Sequence, residues 1–105
     1  MKRLLTLLLF FNTMLLLLQA QPMHQIKGTV IDKNSRQPLE FINVMIIGLN
    51  MGSVTNAEGR FTIEQVPPGI YRLQASAIGY KSVTTSEYIL STKNLNIPIE
   101  MEENL

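Results

Sequence analysis

No cysteine and no tryptophan occur in these 105 residues, and the single histidine is His24. Without cysteine the chain forms no disulfide and no thiolate metal site, so a fold must rest on its own core. One histidine falls short of the two or three that catalytic zinc commonly takes from its protein ligands. A Ser-His-Asp site could nominally join His24 and Asp32 to a serine. No Gly-x-Ser-x-Gly elbow exists, however, and His24 stands in an N-terminal stretch where a solvated ring is expected. Basic runs are missing as well. Nine Lys and Arg face eight Asp and Glu, a formal net charge of +1, and no cluster suggests a nucleic-acid surface.

Long apolar runs are absent except at the start. Lys2 and Arg3 precede an apolar stretch, Leu4 to Leu18, and Leu18-Gln19-Ala20 then ends in a small residue. That is the order of a secretory signal: positive segment, apolar segment, small-residue cleavage site. The run is shorter than the roughly 20 residues of a spanning helix, and Thr6, Asn12 and Thr13 interrupt it. Cleavage is expected after Ala20, with Gln21 as the mature N-terminus. A lipid anchor would need a cysteine at the cut. Residues 1–20 are thus read as a signal peptide, 21–24 as a short linker and 25–105 as one small domain. Once Lys2 and Arg3 leave with the signal, the charge turns slightly negative.

The rest reads as strands. From Tyr71 to Ala77 the residues alternate strictly, Tyr71, Leu73, Ala75 and Ala77 against Arg72, Gln74 and Ser76, and a period of two buries one face of a strand. Strands are expected at Gln25–Asp32, Leu39–Ile47, Ser53–Thr55, Arg60–Ile63, Ile70–Ile78, Ser82–Glu87 and Asn94–Glu102. Pro67-Pro68-Gly69 suits a type II turn, with glycine at the positive φ. Pro98 lies on the polar side of the last strand and marks a sheet edge, because proline donates nothing to a ladder. The predicted inward set includes Val30, Ile42, Val44, Ile46, Phe61, Ile63, Tyr71, Leu73, Leu95, Ile97 and Ile99. About seven short strands with frequent turns predict an all-β fold, a sandwich of two antiparallel sheets.

Gly28–Gly48 (GTVIDKNSRQPLEFINVMIIG), the spaced pattern T-N-x-x-G-x-F-x-I over Thr55–Ile63, V-P-P-G-x-Y-x-L over Val66–Leu73 and the Gly79-Tyr80 pair together resemble the carboxypeptidase regulatory-like domain. The resemblance covers about residues 25–102 and implies a transthyretin-like sandwich of seven strands. Asn56 stands where that family usually has aspartate; either side chain caps a turn. In zinc carboxypeptidases such a domain is accessory and contributes no catalytic residue. In many TonB-dependent outer-membrane receptors it follows the signal peptide directly, ahead of plug and barrel, as the arrangement here does. A hydroxyisourate hydrolase shares the architecture, but it needs several histidines and a Tyr-Arg-Gly-Ser terminus, neither of which this sequence has.

The resemblance therefore implies a non-catalytic exported module, expected in the periplasm or at the periplasmic face of the outer membrane. It would be the N-terminal extension of a nutrient receptor, seen as a fragment or truncated form. The alternatives are a free periplasmic or secreted binding module and, third, a carboxypeptidase accessory domain. No catalytic residue, cofactor or metal is expected: Asn56 and Glu58 before Gly59 lack an EF-hand's aspartate series and suit a tight turn. A protein partner is expected, the plug or barrel or another envelope protein, with no nucleic acid and no membrane span after cleavage. Its contact is predicted at Phe41, Met45 and Ile47. These apolar residues occupy the parity that other strands give to Arg, Gln, Asn and Glu, and a strand apolar on both faces is either covered or sticky.

Overall fold

Leucine loses little rotamer freedom in a helix, and the leucine-rich start forms α1, Lys2–Gln19. A computed structural model describes residues 2–19 and 23–105. The predicted cleavage junction, Ala20 to Gln21, lies outside the described residues. Thr6 and Thr13 donate their hydroxyls to the carbonyls one turn back, Lys2 and Leu9. Among the described residues no helix is long and apolar enough to cross a membrane.

From His24 onward the chain forms nine strands: β1 His24–Asp32, β2 Asn43–Ile46, β3 Gly52–Val54, β4 Arg60–Val66, β5 Gly69–Tyr71, β6 Leu73–Ser76, β7 Val83–Thr84, β8 Tyr88–Leu90 and β9 Leu95–Met101. One sheet has the order β4-β1-β9 and the other β3-β2-β6-β7, with β5 and β8 as a separate ribbon. Inward residues of both sheets meet in one core. Ile26, Val30, Phe61, Ile63, Ile97, Ile99 and Met101 come from the first sheet, and Val44, Ile46, Leu73 and Ala75 from the second. Ile42, Val66 and Leu90 complete it, while Tyr71 and Leu95 are partly buried against it. The all-β sandwich expected from the alternation is present.

Its details depart from expectation in physically instructive ways. β9 is an edge strand with Pro98 exposed, as predicted, but it runs parallel to β1, from Ile26↔Leu95 to Asp32↔Met101. Every other strand pair is antiparallel. The predicted strand Leu39–Ile47 begins only at Asn43, because Phe41 has a positive φ of 63°, outside the β region. The predicted strand Ile70–Ile78 is two strands. It breaks at Arg72, where the chain passes from the β8 partner to the β2 partner.

Pro67-Pro68-Gly69 is not the predicted type II turn. The left-handed residue there is Gln65, φ 58°, within a register shift between β1 and β4; an extra residue in one strand bends it this way. Gly69 is required for a different reason. The Tyr71 hydroxyl donates to the Pro67 carbonyl at 2.6 Å, and a Cβ on Gly69 would lie 2.9 Å from that hydroxyl oxygen.

Candidate functional site

Two turns at one end of the β2–β6 pair build the most unusual surface of the domain. The first is the approach to β2. Phe41 donates its N–H to the Thr55 carbonyl at 3.1 Å. The Thr55 side chain, 2% exposed, donates its hydroxyl to the Leu39 carbonyl at 2.7 Å and accepts the Ile42 N–H at 2.9 Å. Ile42 is thereby drawn into the core while Phe41 is turned outward, 73% exposed. A bulky side chain in the left-handed region is an outlier, and such a conformation costs about 1–3 kcal/mol and persists only where surrounding structure enforces it. The Thr55 clamp supplies the enforcement.

The second turn follows β6. Ala77 to Tyr80 reverse the chain through Gly79, φ 88°, and Ile78 at the tip is fully exposed. Between the two turns lies an open groove of about 650 Å³ lined by Phe41, Ile42, Asn43, Ala77, Ile78 and Tyr80, with Glu40 and Ser76 at its margins. Ile78 escaped the sequence prediction. Its signal was available: it continues the outward parity of Arg72, Gln74 and Ser76 with an apolar residue, the argument that singled out Phe41.

Of the predicted contact residues, Phe41 lines the groove and Met45 and Ile47 do not. Ile47 is about half exposed, one residue past β2, and donates its N–H to the Arg72 carbonyl. Met45 is partly buried, its sulfur occupying the space where a Gly52 Cβ would stand on the neighbouring strand.

The last residues of the chain run back to the same turn. Lys81 donates its N–H to the Glu102 carbonyl and Asn104 to the Gly79 carbonyl, both at 2.9 Å, and Tyr80 bridges to Glu103. Beneath them sits Asp32, 5% exposed. Its carboxylate accepts the Asn34 and Ser35 N–H groups at 2.8 and 2.9 Å. The Ser35 N–H, then that of Asn34, holds the acid below the usual carboxylate range, with the Tyr80 hydroxyl adding to this. Burial, followed by the Asp32 and Glu103 charges, pushes Tyr80 up. Asp32 is thus a turn cap and a fixed negative charge, not part of a triad with His24. His24 is not a solvated terminal ring; it opens β1, and its Nε2 is buried with no hydrogen-bond partner among the described residues. Asn56 caps its turn as predicted, its Oδ1 accepting the Glu58 and Arg60 N–H groups at 3.1 and 2.9 Å. Among the described residues no group of three metal-ligating side chains converges.

Residues 26–105 match the family pattern of the CarboxypepD_reg-like domain. The chain belongs to this family. A curated relative of this CarboxypepD_reg-like chain is the TonB-dependent transporter Oar of Myxococcus xanthus, 33% identical over 70% of this chain and 7% of that protein. The chain therefore spans less than a tenth of the length of the relative it matches. In three dimensions the CarboxypepD_reg-like fold is similar to a type II cohesin–X-dockerin complex of Acetivibrio cellulolyticus, with a TM-score of 0.66, 19% identity, and 74% of this chain and 56% of that one covered. It is also similar to the 5-hydroxyisourate hydrolase of Klebsiella pneumoniae, with a TM-score of 0.61, 18% identity, and 78% and 92% covered. At such identities these likenesses establish the fold alone: the transthyretin-like, immunoglobulin-like sandwich. No catalytic family is indicated.

Proposed function

We propose that this chain is the N-terminal periplasmic extension of a TonB-dependent outer-membrane nutrient receptor, acting without catalysis through protein contacts. The observation that carries the reading is the 33% identity with a TonB-dependent transporter across most of the domain. The order of the chain supports it, because a leucine-rich helix, α1, precedes the family domain. In this reading α1 is the export signal, removed after Ala20, and the folded domain lies at the periplasmic face of the outer membrane. An outward Phe41, enforced against backbone strain, belongs to a surface that meets a partner, since aromatic residues and methionine are enriched at such contacts. Met45 and Ile47 extend that contact surface along β2, toward the end away from the groove.

Detecting the native polypeptide with an antibody against residues 23–105 tests this. A product far larger than 11.9 kDa in the outer-membrane fraction, beginning at Gln21, is the expected result. A small soluble periplasmic product would replace the receptor with a free exported interaction module, which the exposed Phe41–Ile78 groove would serve equally. A product still beginning at Met1 would make α1 an anchor.

A further inference from the structure

We infer, resting on the receptor reading above, that the Phe41–Ile78 groove seats the polypeptide that follows Leu105 in the receptor. Three features of the structure lead there. Phe41 is presented, not merely exposed: the buried Thr55 hydroxyl, tied to Leu39 and Ile42, holds its backbone left-handed and its ring outward. Ile78 stands opposite at the tip of a glycine turn, with Ile42 and Ala77 also lining the cleft. Phe41 is 73% exposed and Ile78 completely so, and large apolar side chains exposed together at one cleft mark an interaction surface.

The chain's own path names the cover. Asn104 is hydrogen-bonded to Gly79, the residue after Ile78, and one further residue extends the chain by roughly 3.5 Å. The next residues of a longer polypeptide thus start at the rim of the groove. A tethered segment this close binds as an intramolecular partner, at an effective concentration no free partner matches. The occupant is an extended stretch with one or two apolar side chains, which lie against Phe41 and Ile78 while its backbone faces Asn43 and Ser76. Docked so, it fixes the direction in which the remainder of the receptor leaves the domain. Undocked, the same stretch is a loose tether. The groove would set how freely the extension swings.

Residues 1–105 hold no cysteine, so the test is made in the full-length receptor with any cysteine of its remaining sequence first changed to serine. One cysteine replaces Glu40, an exposed residue at the groove margin, and a second is placed in turn at each of the first dozen or so positions after Leu105. Oxidation should give a cross-link within one polypeptide. Phe41→Asn, which tolerates the left-handed backbone, and Ile78→Asn should each slow it at least about tenfold, the loss of one anchor. Both variants should leave residues 23–105 resistant to limited proteolysis. If Phe41→Asn loses that resistance, Ile78→Asn decides, because a fully exposed residue supports no core.

A cross-link that forms equally in the variants, or fails to form, overturns the docking and leaves the receptor reading intact. A cross-link between two polypeptides assigns the groove to a second copy and overturns it too. A native polypeptide without residues beyond Leu105 overturns both readings.

Discussion

Gly28 sits in the middle of β1, on the inward face, between its β4 partner Phe61 and its β9 partner Ile97. A Cβ there would lie 2.6 Å from the Phe61 Cε1 and closer still to the ring tip and the Ile97 carbonyl oxygen. The ring belongs to a residue only 2% exposed and packed in the core, and the carbonyl is backbone of an edge strand. Gly28→Ala must therefore push β9 outward or tip the Phe61 ring. Overpacking of this kind costs about 1–3 kcal/mol, sometimes more. Stiffening of the unfolded chain returns about 0.4–1 kcal/mol, so we expect a net loss of about 1–2 kcal/mol.

For a domain of this size that loss lowers the thermal midpoint by about 4–16 °C, measurable by circular dichroism on residues 23–105. Phe61→Ala alone should cost about 3–5 kcal/mol. If the ring is the main obstacle, adding Gly28→Ala to Phe61→Ala should cost clearly less than Gly28→Ala costs alone. An unchanged midpoint for Gly28→Ala would refute the close approach of the three strands. Additive losses would assign the clash to the Ile97 carbonyl instead of the ring.

Thr55→Val keeps the shape but leaves the buried Ile42 N–H without its acceptor, and should cost about 1–3 kcal/mol while raising proteolysis around Phe41; wild-type resistance there would dismiss the clamp. Asp32 has a lowered pKa in the fold, so its contribution is present above the unfolded value near 3.8 and fades as pH falls through the folded one. The midpoint gap between wild type and Asp32→Asn should accordingly narrow below about pH 4, and a gap constant down to pH 2 would contradict the cap. Tyr80, shifted the opposite way, contributes stability that is lost as pH rises above its unfolded value near 10, so the midpoint advantage of wild type over Tyr80→Phe should shrink there. Met45→Lys should fold, because the lysine stem can cover Gly52 as the thioether does, while weakening association in a pull-down. Unfolding would make Met45 ordinary core, and unchanged association would remove it from the contact surface.

Alternation located most strands because their inward and outward sets differ chemically. β9 shows it best: Leu95, Ile97, Ile99 and Met101 face in, and Asn96, Pro98 and Glu100 face out. Periodicity is blind to changes of partner, however. Tyr71, Leu73 and Ala75 keep one parity across Arg72, although the chain changes sheets there. It is equally blind to strand direction. The parallel pairing of β1 with β9 joins segments some 70 residues apart, and nothing local in either records it. β8 was missed because Tyr88-Ile89-Leu90 is too short to show a period.

Phe41 was found for a reason that proved incomplete. Its parity argument assumed an unbroken strand, whereas a left-handed backbone turns the ring outward. The groove as a whole needed two turns to meet, at Phe41 and Ile78. Alternation carried both residues inside predicted strands, Leu39–Ile47 and Ile70–Ile78, whereas the strands run only over Asn43–Ile46 and Leu73–Ser76 there.

The parallel union of β1 and β9 has a mechanical consequence. The chain enters the sandwich at the start of β1 and leaves it beyond the finish of β9, and the two strands point the same way. Tension between these points is therefore directed along the strands, not across them. Seven register positions, Ile26↔Leu95 to Asp32↔Met101, spaced about 3.3 Å apart, would bear the load together and would have to slip at once. Strands peeled apart from one end yield one hydrogen bond at a time; strands sheared lengthwise do not. A domain strung between an anchored partner and a moving one would pass force through this seam, and its short outer ribbons would be left unloaded.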